Sequence, residues 1–383
     1  MALTHEEAVA RARALAPGIA ARARETEELR KPHDASIAEL VDAELIPILS
    51  PKKWGGHELG LDTHRAVVET ISAACMSTGW ILDFYIGHCV FATKFSARAQ
   101  GEFFADKPYI LAPATTSPTT KAVREDGGWR VTGKIPWGSG IMHADWAFCV
   151  GFGDDGGLYA FAVPAAEVKV DDVWHMAGMA GTGSNTVVLE DVFVPDHRTL
   201  PQRDLTLGDT PGARLHDNPM YRMPLMPFLF AQAAPVFSGA LRGATSAFED
   251  VIRNRVTTYG LKTMKDSTTA HVKLGEAATN AMIAERLVAD LIARVQSSIG
   301  GKFTLAERIG LKSQTAFIVE HCRRAVNDMA HNGGASNFSL DAPLQRFFRD
   351  INTIAVHAFW DWEVARELTG RHTLDLKPNN PLV

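Results

Sequence analysis

Between Trp137 and Phe152 the chain reads WGSGIMHADWAFCVGF, and the second half of that stretch decides the fold class. Trp146 to Phe152 is a short aromatic and β-branched run, the composition of a strand. The same texture recurs in WRVTGKIPW (Trp129 to Trp137), LYAFAVP (Leu158 to Pro164) and TVVLEDVFVP (Thr186 to Pro195), parted by the turn-forming clusters REDGG and GDDGG. Short runs at regular spacing predict an antiparallel sandwich or barrel of roughly 100 residues. The first half of the stretch fits a strand poorly, because a serine, two glycines, a histidine and a tryptophan crowd its entrance.

Outward from this β-texture the chain is helical on both sides. Upstream, Thr4 and Glu7 form a capping box ahead of an Ala-rich helix that ends near Lys31-Pro32. IAELVDAELIPIL (Ile37 to Leu49) and the long apolar stretch through Phe95 repeat apolar residues three and four apart. Downstream, Leu287, Leu291, Ile292 and Val295 share one stripe, and Pro343 to Gly370 reads as one long helix with a terminal glycine. Helices, a β-insert, then helices predict an α+β protein rather than an alternating dinucleotide fold. We expect a helical region over 1–108, a β-region over 109–210 and a helical bundle over 211–383. A length of 383 residues also exceeds the roughly 250–300 at which single cores stop growing.

Composition narrows the function classes. With 39 basic and 44 acidic residues the net charge is −5, and no basic run offers a stripe for phosphates, so no nucleic-acid partner is expected. The arginines and glutamates of the N-terminal stretch fit neither a signal peptide nor a membrane span, which predicts a cytoplasmic protein. Cys75, Cys89, Cys149 and Cys322 are far apart in the chain and read as reduced small hydrophobes, with no metal site. Neither GxGxxG after a strand nor GxxxxGK[ST] occurs.

VTGKIPW, GTGSNTVVLEDVFVP (Gly181 to Pro195) and RNRVTTYG (Arg253 to Gly260) together resemble the acyl-CoA dehydrogenase superfamily over essentially the full length. PKKWGGHELG (Pro51 to Gly60), STGWILDFYIGH (Ser77 to His88), WGSGIMHADW and PLQRFFRDINTIAVHAFW (Pro343 to Trp360) are most similar to its flavin-dependent monooxygenases of two-component systems. The resemblance implies an N-terminal helical domain, a middle antiparallel β-domain and a C-terminal four-helix bundle, in a homotetramer or homodimer. It implies reduced FAD or FMN from a separate NAD(P)H:flavin reductase, O2 as co-substrate, and a C4a-hydroperoxyflavin that oxygenates a small aromatic such as an indole, phenol or fused-ring compound. A dehydrogenase needs a carboxylate base beside the flavin. His357 and Ala358 stand where that superfamily carries Tyr-Glu, and no glutamate lies between Glu190 and Glu249. An N- or S-oxygenase, an acyl-CoA dehydrogenase-like enzyme and a non-catalytic flavin-binding protein are the competing readings.

The resemblance also assigns roles. Ser139 sits near flavin N5, with Trp137 two residues earlier on the same face of an extended chain. Thr115 passes the flavin ring, and Arg255 reaches flavin phosphate, often across a subunit boundary. His88 and His357 serve as catalytic histidines, suited by a pKa near neutrality. Trp80, Trp174 and Phe228 wall the substrate pocket, with His175 and Phe230 beside them. Each residue has a plainer reading: a Gly-Ser-Gly turn, satisfied core histidines, a surface ion pair for Arg255, ordinary core aromatics. His143 reads as a turn histidine. NGGASNF (Asn332 to Phe338) either brings backbone close to a cofactor or caps a helix.

Overall fold

The computed structural model describes residues 3–256 and 263–380; the expectation placed on Thr257 to Gly260 of the RNRVTTYG motif lies outside the described residues. Six helices come first: α1 (His5–Ala21), α2 (Ala23–Leu29), α3 (Asp34–Asp42), α4 (Leu61–Ala74), α5 (Met76–Ala92) and α6 (Ala97–Phe103). The capping box forms, with Thr4 Oγ1 accepting from Glu7 N at 3.2 Å and Glu7 Oε2 from Thr4 N at 2.8 Å. The expected first helix breaks at Arg22, giving α1 and α2. The pattern over Ile37 to Leu49 also splits, into α3 and a 3-10 turn at Ile46–Leu49; Pro47 carries no N–H to continue the α-helix.

Seven strands follow: β1 (Ala114–Glu125), β2 (Gly128–Gly138), β3 (Trp146–Gly153), β4 (Leu158–Pro164), β5 (Lys169–Asp171), β6 (Asn185–Pro195) and β7 (Thr199–Pro201). They form one sheet in the order β5-β6-β2-β1-β3-β4-β7. Every neighbouring pair is antiparallel except β1 and β3, which run parallel, where the sequence pattern predicts antiparallel pairing throughout. The parallel pair has a direct consequence. After β2 the chain must cross the end of β1 to reach its far side, and residues 139–145 are that crossover. Residues in a crossover leave the ladder, so their polar groups need other partners. The polar entrance to the strand is therefore a bridge over the end of the sheet.

The remaining helices are α7 (Gln202–Leu207), α8 (Leu225–Asn254), α9 (Thr268–Ser297), α10 (Leu305–Asn332), α11 (Pro343–Ile354) and α12 (Trp362–Thr373). Helices α8, α9 and α10 pack on one another, with α11 and α12 against α10, while α4 and α5 lie against α8. One continuous core runs through the helices and into one face of the sheet, and a second, smaller core fills the sheet's other face around Trp129, Val131, Phe161 and Leu189.

The long helix expected over Pro343 to Gly370 is interrupted. His357 does not lie within it, but begins a 3-10 turn, Ala358–Trp360, between α11 and α12. Two local caps favour the break: His357 Nδ1 accepts from Phe359 N at 3.3 Å, and Asp361 Oδ1 accepts from Val364 N at 3.0 Å. Trp360 Nε1 donates to the Ile354 carbonyl at 3.0 Å, which satisfies the end of α11 and folds the indole inward. From α10, buried Lys312 donates to the Phe359 carbonyl at 3.1 Å and so pins the break in place.

Candidate active site

Three parts of the chain meet where β2 ends: the crossover, helix α5, and the α11–α12 break. Helix α5 presents Trp80, Phe84 and His88, one turn apart, on one face. Their rings form a ladder, with centroids 4.5 Å apart for Trp80 and Phe84 and 4.9 Å for Phe84 and His88. Trp360 meets Trp80 edge-on at 5.9 Å and Phe237 at 5.3 Å. His357 stacks on Trp360 at 4.7 Å with planes 29° apart. The two histidines singled out in the sequence thus stand at opposite ends of a continuous aromatic wall, His88–Phe84–Trp80–Trp360–His357.

The two imidazoles are held as opposite tautomers. His88 is buried, and its Nδ1 lies 2.5 Å from the Ala112 carbonyl. A carbonyl only accepts, so Nδ1 carries the proton and Nε2 is a bare acceptor. His357 Nδ1 accepts from a backbone N–H, so in the neutral ring the proton is on Nε2, which donates. Burial lowers the pKa of both to about 4, and both are neutral at pH 7. The His357 residue is exposed, with its ring packed beside Phe359 and Trp360.

Ser139 lies at the middle of the wall. Trp80 Nε1 donates to its Oγ at 3.4 Å, and Ser184 Oγ lies 2.8 Å away. The neighbouring Gly140 adopts a left-handed φ of +82°, and its carbonyl accepts from Tyr85 Oη at 2.6 Å. A Cβ at Gly140 would sit 2.8 Å from that Oη, and one at Gly138 would sit 2.8 Å from Val187 Cγ2. These glycines admit the protein's own side chains, which accounts for them without a cofactor.

Trp137 and Ser139 do not share a face of an extended chain. Ser139 N–H donates to the Trp137 carbonyl at 2.8 Å, closing a tight turn, and Trp137 takes a φ of +60°. Its indole is 64% exposed while Ser139 is 6% exposed. A tryptophan in the left-handed region is strained by of order 1–3 kcal/mol, a cost found mostly at ligand sites. His143, two residues past Ile141, is bonded to Asp34 Oδ1 at 2.7 Å and ties the crossover to the start of α3.

Trp174 is half-buried, with Nε1 donating to the Met179 carbonyl at 2.9 Å; His175 is exposed. Phe228 and Phe230 are buried in the helical core, and no ring contact among the described residues joins Phe228 to the wall. Thr115 is half-buried at the start of β1, where pairing with β3 slips between Ala114 and Pro118. Arg255 makes no ion pair among the described residues. Its Nη1 donates to the Gly333 carbonyl, and its guanidinium fills the space a Cβ at Gly334 would need. Gly333 ends α10 and Gly334 has a φ of +75°, so NGGASNF both caps a helix and admits Arg255.

Sequence reasoning missed Phe84, Trp360, Thr182 and Ser184. Phe84 was within reach, standing one turn from both Trp80 and His88. Ser184 lies inside GTGSN, a motif that marked the family without suggesting a hydrogen-bonding role.

The donor set fits a reduced flavin. Ser139 Oγ has one donor and two lone pairs, and protein partners account for only two of the three. An exposed, strained indole stands beside it, whereas Arg255, whose guanidinium has N–H groups beyond the one on Gly333, has no contact with these side chains among the described residues.

The family of the acyl-CoA dehydrogenase C-terminal domain matches residues 231–362. The chain is 41% identical to the pigment production hydroxylase of Rhodococcus sp. (strain ATCC 21145), with all of both chains covered. It is 31% identical to the FADH(2)-dependent resorcinol hydroxylase, oxygenase component, of Rhizobium sp. (strain MTP-10005), covering 98% of this chain and 95% of the other. Among solved structures it is similar to XiaF from Streptomyces sp. in complex with FADH2 and glycerol, at 30% identity and a TM-score of 0.89, covering 98% of this chain and 97% of that one. No described helix is long and apolar enough to cross a membrane.

Proposed function

The chain belongs to the oxygenase components of the two-component flavin-dependent monooxygenases of acyl-CoA dehydrogenase fold, and on that premise we propose that its substrate is a phenol or an indole. It hydroxylates an aromatic compound using O2 and reduced flavin supplied by a separate reductase. The opposite tautomers of His88 and His357 carry the narrower reading. A substrate with an acidic O–H or N–H uses the bare acceptor at His88, whereas a thioether has no proton to give it.

In this reading Ser139, Trp137, Thr115 and Arg255 hold the flavin, with Ser139 Oγ at N5 and Arg255 at phosphate. Bound reduced flavin supplies the activated oxygen. Trp80, Phe84 and Trp360 exclude water around the substrate. His88 Nε2 accepts the substrate's hydrogen bond and takes its proton as oxygen adds to the ring. A base with a pKa of about 4 suffices, because the proton leaves a ring that has become cationic rather than a resting phenol of pKa about 10. His357 Nε2–H donates to the oxygen being transferred. The assembly is a homotetramer or homodimer, a reading supported by the exposed apolar side chains Val272, Met282 and Phe317 on α9 and α10. The reductase draws on NAD(P)H, and the cellular site is the cytoplasm, consistent with four free, buried cysteines.

The test is incubation with photoreduced flavin, 18O2 and a panel of phenols, indoles and dibenzothiophene. One 18O atom is expected on the carbon skeleton of a phenol or indole. Labelled sulfoxide as the sole product, or no labelled product at all, overturns the assignment.

A further inference from the structure

Ser139 is the first hydroxyl of a chain whose polarity can be read atom by atom. Thr182 Oγ1 donates to the Met179 carbonyl at 2.8 Å, because a carbonyl only accepts. Its single proton is then spent, so in the 2.7 Å contact between Thr182 Oγ1 and Ser184 Oγ the serine is the donor. Ser184 in turn has no proton left for Ser139, so across their 2.8 Å contact Ser139 donates. The proton of Ser139 therefore points into the protein, and Trp80 Nε1 covers one of its lone pairs.

The far end of the chain is anchored. The Met179 carbonyl also accepts from Trp174 Nε1 at 2.9 Å and from Thr182 N at 3.1 Å. The N–H of Met179 donates to buried Asp350 at 2.6 Å. Met179 itself has a φ of +54°, a conformation that persists only where surroundings fix it. Ser139, Ser184 and Thr182 are all nearly inaccessible to solvent, so water does not offer an alternative partner for any of the three protons.

We propose that Ser184 and Thr182 are positioning residues that lock Ser139 as a hydrogen-bond acceptor and thereby make the site select reduced over oxidised flavin. The proposal rests on the placement of Ser139 at flavin N5. Reduced flavin carries a hydrogen on N5 and needs an acceptor there; oxidised flavin has a bare N5 and needs a donor. A freely rotating hydroxyl serves either form, and one whose proton is committed inward serves only the first. No proton is transferred along the chain; its effect is orientation. Such a preference suits an enzyme that receives its flavin already reduced, since the spent oxidised form is then released.

The test compares dissociation constants for oxidised and reduced FMN and FAD, measured anaerobically for the reduced forms, in the wild type and four variants. Ser184→Ala frees the Ser139 proton, and the ratio of oxidised to reduced dissociation constants is expected to fall about tenfold, equivalent to lowering the bound flavin's potential by about 30 mV. Ser184→Thr keeps a hydroxyl and is expected to restore the ratio. Thr182→Val removes the next acceptor while keeping the side chain's shape, and gives a second reading if the Ser184→Ala protein does not fold by circular dichroism. Ratios within twofold of wild type in the folded Ser184→Ala or Thr182→Val protein overturn the inference. Ser139→Ala separates it from its premise: if that variant leaves both constants unchanged, Ser139 is not at N5 and the flavin placement itself is lost.

Discussion

His88 and His357 are the same side chain with the same displaced pKa, built into the wall by different means. His88 lies on a helix whose residues are almost all buried, and its Nδ1 proton is held by a carbonyl from the segment leading into β1. His357 lies in a gap between helices, touches solvent, and gives its Nδ1 lone pair to the turn it begins. One neutral imidazole consequently keeps a bare lone pair on Nε2, and the other keeps a proton there. Pairs of titratable groups whose surroundings drive them to opposite roles are how a single site performs acid and base work at one pH. Here the difference lies in which backbone group each Nδ1 meets, not in pKa.

The sharpest way to break this comparison is His88→Asn, whose amide nitrogen takes the place of Nδ1 and keeps a donor for Ala112 while removing the base. The turnover number for a phenol is expected to fall about a hundredfold, with reduced-flavin affinity unchanged by titration. Product formation close to the wild-type rate would leave His88 as a core residue. The same variant tests the buried imidazole thermodynamically. The unfolded chain binds a proton at His88 below pH 6.5 and the folded chain only near pH 4, so its contribution is intact above pH 6.5 and is lost as the pH falls toward 4. The loss is roughly 3 kcal/mol, and urea unfolding at stepped pH is expected to show a correspondingly shallower acid slope in the asparagine variant.

His357→Ala removes a donor and a turn cap, and is expected to cost about tenfold in turnover. His357→Asn restores an N–H donor and a capping oxygen, and is expected to recover most of that loss. Equal defects in the two variants would show that the imidazole ring itself, not its proton, matters at this position. The smallest effect is expected from His143→Ala: with its bond to Asp34 at the edge of α3, turnover should stay within about twofold of wild type.

The order of helices, strands and helices was legible because each region has its own periodicity and its own punctuation. The strands from Trp129 to Pro195 announce themselves by β-branched and aromatic runs between glycine clusters. The parallel β1–β3 pair was not legible, since a strand's composition does not record which neighbour it chooses. The break at His357 was half-visible, as Asp361 is a good cap, but the helical pattern of Pro343 to Ile354 runs into it without a glycine or proline. Ser139 and both histidines came from family resemblance, and the structure brings them onto one wall. The hydroxyl chain behind Ser139 joins residues 45 positions apart, a separation at which no periodicity operates. Trp137 was legible as a residue and misread as a geometry, because a left-handed tryptophan is too rare to expect.

The crossover at 139–145 also divides the sheet into two ends with different tolerances. Its end carries the junction with α5, whereas the β1–β2 turn at Asp126–Gly127 and the β3–β4 turn at Asp154–Gly157 lie at the opposite rim, with Gly127 and Gly156 open to space. An eleven-residue strand spans roughly 35 Å. A reporter dye or immobilisation tag grafted at the exposed Asp126 would therefore ride at arm's length from the chemistry, giving a handle for following flavin delivery on a surface or by energy transfer without disturbing the wall.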